Sequence, residues 1–459
     1  IVLMRPGVYG GLQMLTGSEN GVFRDETANR VEAARSNYQA LSAFDMDNDG
    51  DLDLVGTRWA SLSPAQESEC LESHFFENDG GILRLTHYNV PLTKGCGLIG
   101  AMTDVNDDGW LDYVQVNDFG PWFDGNEVFL SGPSLTGTDK SGFSTDLAEQ
   151  FGLKSPVYGM GIAIGDINHD QKFDLFATSL GEDVLWLGTA EGTYQDATSL
   201  WNAGTALGQL KRRFKWGATF IDLDNDGLED LTVAAGGLLD FLELSGGVQT
   251  SIALHNTGAP PLEEFSKAAG IDSTSDDRSF AWSDYDRDGR PDTVLSGVST
   301  TRLLRNNSEP NQHWLDVRLR GSVANPDGLG SRVTVQCGEK TWVRELVAGG
   351  NPGSTSEPVI HVGLGVCDLP LSVMVRWPSG RLQTVENVAA DSAIEIQEPD
   401  WFRISKSTVP ADGQTTIEVL YQHTSDTPAN VTWSSSLGLV DNSNMTPEGS
   451  GTYRGVLTA

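Results

Sequence analysis

Over the first three hundred residues, apolar positions come in short runs broken by polar ones, without the three-and-four spacing of a helix. A run such as GMGIAIG (159–165) or KWGATFI (215–221) leads into a polar turn. A second run leaves it, DLFATSL (174–180) or DLTVAAGG (230–237), and a third follows, DVLWLG (183–188), SIALHN (251–256) or TRLLRN (301–306). Some units add a fourth, as in GTYQDAT (192–198). Runs this short, bounded by Gly, Asn and Asp, predict small antiparallel sheets. From about residue 310 the turns change character and longer alternating strands take over, HWLDVRLRG first among them.

The turn between the first two runs is one nine-residue phrase written five times: Asp45–Asp53, Asp104–Asp112, Asp166–Asp174, Asp222–Asp230 and Asp284–Asp292. Positions 1, 3, 5 and 9 carry Asp or Asn in every copy. They are Asp45, Asp47, Asp49 and Asp53; Asp104, Asn106, Asp108 and Asp112; Asp166, Asn168, Asp170 and Asp174; Asp222, Asp224, Asp226 and Asp230; Asp284, Asp286, Asp288 and Asp292. Alternate oxygen-bearing side chains on a tight loop converge on one point, the donor set that calcium takes and magnesium, with its strict octahedron, does not favour. Position 6 is Gly in four copies, where a positive φ lets the chain turn. Position 7, which is Asp51, Trp110, Lys172, Leu228 and Arg290 in turn, is expected to offer its carbonyl, so its side chain is free to vary. The expectation is about five structural Ca²⁺ ions, with the third copy weakest because Gln171 replaces Gly and Asn168 is neutral. His169, at position 4, is expected to face solvent. The acid at 9 and the flanking strands separate this loop from an EF-hand, whose acid comes at 12 between helices.

The phrase recurs every 56 to 62 residues, so each copy belongs to one repeat of a supersecondary unit. Four short strands per repeat is the unit of a β-propeller blade. The formal charge of −34 disfavours nucleic acid and anionic membranes as partners. No apolar stretch is long enough to insert in a membrane. The four cysteines fall in two local pairs, and disulfides 70–96 and 337–367 are the simplest arrangement. Paired cysteines and acidic loops together favour an oxidising, calcium-rich space: secreted or at the cell surface, with a bacterial envelope expected. The chain opens at Ile1 part-way through a repeat, and a longer parent chain is expected.

The repeats resemble the FG-GAP/VCBS repeats of integrin α-subunit propellers, in which calcium sits in DxDxDGxxD hairpins; that resemblance runs to about Asn307. Residues 310–397, through NPDGLGSRV, HVGLG and VRWPSG, resemble the ASPIC/UnbV domain, which follows such propellers in the cartilage acidic protein family. STVPADGQTTIEVLYQ, NVTWSSS and GTYRGVLTA resemble strands of a bacterial immunoglobulin-like domain, in fewer residues than the roughly 100 of a complete one. The expected architecture is all-β: a β-propeller over 1–308, seven blades favoured and six the alternative; a small β-domain over 309–398; and a partial Ig-like β-sandwich over 399–459.

No GxSxG, HExxH, CxxC or P-loop is present, and no two histidines have metal-ligand spacing. Catalytic residues are therefore not assigned. In the second domain His313, Arg332, Arg344 and His361 stand out as polar residues. Trp59, Trp122 and Trp201 fall in inter-strand segments, where an exposed indole stacks on sugars or anchors a protein; Trp216 and Trp282 are expected in packing. The leading expectation is an extracellular, calcium-stabilised binding or adhesion module for a protein or glycan partner at a cell surface. The alternative is an enzyme of natural-product or polysaccharide chemistry, with its site at the propeller channel or the domain junction. A third reading is a spacer that presents other domains.

Overall fold

The computed structural model describes residues 2–5, 11–18, 20–32, 35–61, 69–86, 95–122, 124–132, 143–203, 213–237, 249–272, 274–309 and 311–399, together with strands at 402–408, 416–422, 446–449 and 452–458. Strand dominates, and the helices among these residues are single turns.

Six antiparallel sheets follow one another in chain order, each a meander. The first holds Val2–Arg5, Gly11–Gly17 and Phe23–Asp25. The second holds Tyr38–Phe44, Asp53–Arg58, His74–Asp79 and Ile82–Thr86. The third holds Gly97–Thr103, Asp112–Asn117 and Glu127–Phe129. The fourth holds Gly159–Gly165, Asp174–Ser179, Val184–Gly188 and Tyr194–Asp196. The fifth holds Lys215–Ile221, Asp230–Ala235, Ile252–His255 and Glu263–Glu264, and the sixth Asp277–Ser283, Asp292–Gly297 and Thr301–Leu304. Four strands per unit therefore hold for the second, fourth and fifth sheets; three are described in the others.

From the second sheet onward, the first strands lie side by side. Gly97–Thr103 sits between Tyr38–Phe44 and Gly159–Gly165, and Lys215–Ile221 between Gly159–Gly165 and Asp277–Ser283. Apolar cores fill the gaps between neighbouring sheets. Phe44 and Phe75 meet Tyr113 and Phe129; Val114 and Val128 meet Leu175 and Trp186; Phe176 and Leu185 meet Phe220 and Leu231. Middle strands such as Asp174–Ser179 and Asp230–Ala235 are buried throughout, because both faces of each sheet are covered. That explains why their sequences read as continuous apolar runs rather than strict alternation. Each leading strand from the second sheet on also carries a bulge just after its start, as between Tyr38 and Ala40 or Gly159 and Gly161. The arrangement is propeller-like.

Residues 313–397 form two further sheets. His313–Arg320 pairs antiparallel with Val359–Gly365 and parallel with Ser392–Gln397; Arg332–Cys337 lies between Lys340–Glu345 and Leu371–Arg376, with Leu382–Val388 outside. Trp342, Trp377, Leu315, Val333 and Val373 fill the space between them. The last strands, Phe402–Thr408, Thr416–Gln422, Thr452–Thr458 and Thr446–Gly449, make one sheet. NVTWSSS lies outside the described residues. Both expected disulfides, Cys70–Cys96 and Cys337–Cys367, are formed.

Candidate metal centre and domain junction

Each nine-residue phrase is the hairpin between the first two strands of its sheet, and all five share one hydrogen-bond pattern. The Asp at position 1 accepts from the backbone N–H of position 6: Gly50 to Asp45 at 3.0 Å, Gly109 to Asp104 at 2.9 Å, Gln171 to Asp166 at 2.9 Å, Gly227 to Asp222 at 2.8 Å and Gly289 to Asp284 at 2.7 Å. The Asp at position 9 accepts from position 2 through one oxygen and from the third strand through the other, as Asp53 does from Met46 (2.6 Å) and Asn78 (2.8 Å). Asp112, Asp174, Asp230 and Asp292 repeat this, with the second donor, Ser131, Gly188, Asn256 or Asn306, at or just past the end of the third strand. Position 7 donates its N–H to the carboxylate at position 5 in every copy, while its side chain goes its own way.

Position 6 has the expected positive φ, from +81° to +99° at the glycines, and Gln171 adopts +69°. Position 4 was not foreseen to need one, yet Asn48, Asp107, His169, Asn225 and Arg287 all lie between +56° and +63°. Asn and Asp tolerate that region, and three of the five copies use them.

Burial governs the charge of these loops. It pushes Asp45 and Asp166 up to about 7, Asp53 and Asp174 up to about 8, and Asp112 and Asp222 well above the usual carboxylate range. Carboxylates gathered out of water call for a cation. The first and fifth hairpins bring oxygens of positions 1, 3 and 9 within 4.8 Å of one another. In the fourth, Asp224 and Asp226 gather with His255, which the sequence did not single out; it sits on the third strand and bonds Asp230 at 2.9 Å. Asp222 Oδ1 is buried with no hydrogen-bond partner among the described residues. It is an oxygen a hard cation would use, so the residues fit calcium. The second and third hairpins are less open: the amides of Asn106 and Asn168 turn onto Asp108 and Asp170, both at 2.9 Å.

All five hairpins meet the two-sheet domain at 313–397. A Cβ at Gly50 would stand 2.6 Å from the Val323 carbonyl oxygen, one at Gly227 2.7 Å from Trp342 Nε1, and one at Gly289 2.0 Å from Trp314 Nε1. Arg376 reaches Asp104 at 2.7 Å, and Arg332 reaches Asp107 at 2.8 Å and the Gln171 carbonyl at 2.5 Å. His361 bonds Asp316 through Nδ1 and Asn225 through Nε2, both at 2.7 Å. Arg344 is buried against Glu229 at 3.2 Å. Three of the four polar residues singled out in this domain are therefore junction contacts; His313 instead pairs with Asp391 at its rim. His169 is half-buried rather than fully open to solvent, and its ring meets Trp342 edge-on at 6.2 Å.

A segment of the same domain crosses the leading strands. Gly349 bridges to Ala101, Gly350 accepts from Ile162 N (2.9 Å), and Asn351 Nδ2 donates to Thr219 Oγ1 (3.2 Å). Ser354 donates to the Phe280 carbonyl (2.8 Å), and Glu357 accepts from Ser283 (2.5 Å). This strap touches sheets three to six in order. Beside it a cavity of about 450 Å³ opens between sheets four to six and the second domain, walled by Trp282, Trp314, Glu229, Arg344, Asn351 and His361 among others.

The opposite ends of the sheets carry Trp59 and Trp122. Trp122 is 70% exposed, lies parallel to Phe119 (5.7 Å, 5°) and stands at right angles to Tyr158 (5.9 Å, 89°). Trp59 stacks near Phe119 at 5.7 Å, donates to Asp118 at 3.0 Å, and packs with the Cys70–Cys96 disulfide. Phe119 holds φ +59°, a rare conformation for a bulky residue. Trp201, by contrast, is buried between sheets four and five. Trp282 is buried as expected, and Trp216 packs under Arg278.

Among solved structures, an Agrocybe aegerita lectin described as recognising non-reducing terminal N-acetylglucosamine is similar over 68% of this chain and 78% of its own, at 16% identity and TM-score 0.38. An exo-β-1,3-galactanase from Phanerochaete chrysosporium is similar over 83% and 84%, at 11% identity and TM-score 0.28. Both likenesses are too loose to bear on function. Cartilage acidic protein 1 of Mus musculus is 25% identical over 294 residues, 59% of this chain; the chain spans 42% of that relative's length. Residues 321–401, which include most of the domain seated on the hairpins, match the ASPIC and UnbV family.

Proposed function

We propose that the chain is an extracellular, calcium-braced propeller that binds a glycan on the face opposite its metal hairpins. The observation that carries this reading is the exposed corner made by Trp122 and Tyr158 over Phe119. The hairpin face is covered by the second domain, which leaves the other end of the sheets for a partner. There, an indole face and a phenol at right angles offer the apolar surface that the C–H face of a sugar stacks on. Phe119, Trp59 and the disulfide hold that surface in place before any ligand arrives, which reduces the entropy lost on binding. Two disulfides suit an oxidising compartment. The calcium ions, one per hairpin, are structural. In this reading each described sheet is one blade, and the seventh blade favoured by the repeat would come from outside them.

The enzyme reading has less behind it. His361, on the cavity wall, is held through both ring nitrogens, by Asp316 and Asn225, as a contact of the domain junction.

A glycan array probed with the full chain tests the proposal, with binding followed up by calorimetry. Binding in calcium that falls at least tenfold in Trp122→Ala, at unchanged melting temperature, is the expected result. No glycan bound, or capture of a protein through this face instead, would overturn it.

A further inference from the structure

Three buried polar atoms without a hydrogen-bond partner among the described residues belong to side chains that wall the junction cavity: Trp282 Nε1, Arg344 Nη2 and Asn351 Oδ1. A buried polar atom left unpaired is costly, and native folds leave few of them. Three of them sit on the walls of this one cavity. The volume, about 450 Å³, falls within the range that holds small molecules.

We propose that this cavity is a second binding site, for a small, neutral, polyhydroxylated ring such as a monosaccharide. Two of the three atoms are donors, an indole N–H and a guanidinium N–H. The third is an acceptor, an amide oxygen. A ligand that meets both needs must donate and accept within a few ångströms, as hydroxyl groups do. Carboxylates outnumber arginines on the walls, with Glu229, Asp316, Glu345, Glu357 and Glu395 among them, so an anion is disfavoured. Trp282 and Trp314 supply flat apolar wall for the C–H face of a ring. Part of the wall comes from the strap that carries Asn351, so the site exists only while the second domain is docked.

The site is separate from the Trp122 corner, which lies at the other end of the sheets, and either can fail without the other. Glucose, galactose, mannose and xylose, each titrated into the full chain in calcium and followed by saturation-transfer NMR and calorimetry, provide the test. The expected result is that at least one binds at millimolar concentration or below. Trp282→Phe removes the N–H and keeps an aromatic ring; Asn351→Ala removes the amide from the strap. Each should weaken binding about tenfold, the effect of one buried hydrogen bond, while Trp122→Ala leaves it unchanged. Should Trp282→Phe fail to fold, Asn351→Ala decides the matter. The proposal is overturned if none of the four sugars binds, if binding is unchanged in both cavity variants, or if crystals soaked in these sugars hold only ordered water in the cavity.

Discussion

Gly227→Ala isolates the contact between a hairpin and the domain seated on it. Gly227 has φ +99° and is buried, and an added Cβ would meet Trp342 Nε1 at 2.7 Å and its Cε2 at 3.3 Å. Trp342 is 2% exposed in the core of the second domain and has little room to retreat. An L-residue in the left-handed region costs about 1–2 kcal/mol. Overpacking a full core costs about 1–3 kcal/mol more, so Gly227→Ala should lose about 2–5 kcal/mol. Gly80 supplies the control, since its φ is +60° and nothing lies within 4 Å of its missing Cβ. Gly80→Ala should lose only the backbone share, about 1–2 kcal/mol. Urea unfolding of both variants, in calcium and followed by tryptophan fluorescence, reads the difference as a shift in midpoint at constant slope. Trp342→Phe should relieve the clash, so the double variant should be more stable than the two single losses predict, by about 1 kcal/mol or more. Losses that add within about 0.5 kcal/mol, or a Gly227→Ala no worse than Gly80→Ala, would refute the seating of Trp342 on this hairpin.

Three further outcomes are expected. Glu127 is buried beneath Gln115 and Asn117, and burial pushes its carboxyl up to about 8 from an ordinary 4.5. The folded state therefore holds a proton that the unfolded state gives up. Its contribution is full below about pH 4.5 and is lost as pH rises through 8. Glu127→Gln should match the wild type in melting temperature at pH 4 and exceed it at pH 9; parallel curves would count against this. Lys215 and Asp183 form an ion pair at 2.7 Å with neither side chain exposed. Lys215→Met should cost about 3–5 kcal/mol by leaving a buried carboxylate alone, and adding Asp183→Asn should recover part of it. Asp224→Ala should lower the calcium-dependent part of the melting temperature, because one oxygen is lost among carboxylates that need their cation; an unchanged response to calcium would contradict this.

The hairpins were legible because their constraint is local. Alternate acids and the position-6 glycine answer to geometry within nine residues, and a local pattern survives in the sequence whatever surrounds it. The disulfides were legible for a similar reason, since their cysteines lie only 26 and 30 residues apart. The junction was not. Why Gly50, Gly227 and Gly289 must be glycine is only half told by φ; the other half is Val323, Trp342 and Trp314, which lie 25 to 273 residues further along the chain. His255 joins the fourth hairpin from a neighbouring strand, and a lone histidine beside Leu254 gave no sign of it. The strap at 349–357 reads as a Gly- and Ser-rich turn, which is the composition of any loop; its path across the leading strands depends on the placement of two domains. Trp201 looked like a loop residue because the single helical turn that buries it is too short to leave a periodic signal.

Whether the five hairpins hold calcium is decided most directly by the anomalous difference map of crystals grown in calcium. The account predicts peaks among the carboxylates of positions 1, 3, 5 and 9 in the first, fourth and fifth hairpins, with the second and third weaker, and a melting temperature that drops sharply in chelator. Hairpins without anomalous density, in a protein that melts identically with and without chelator, would contradict it.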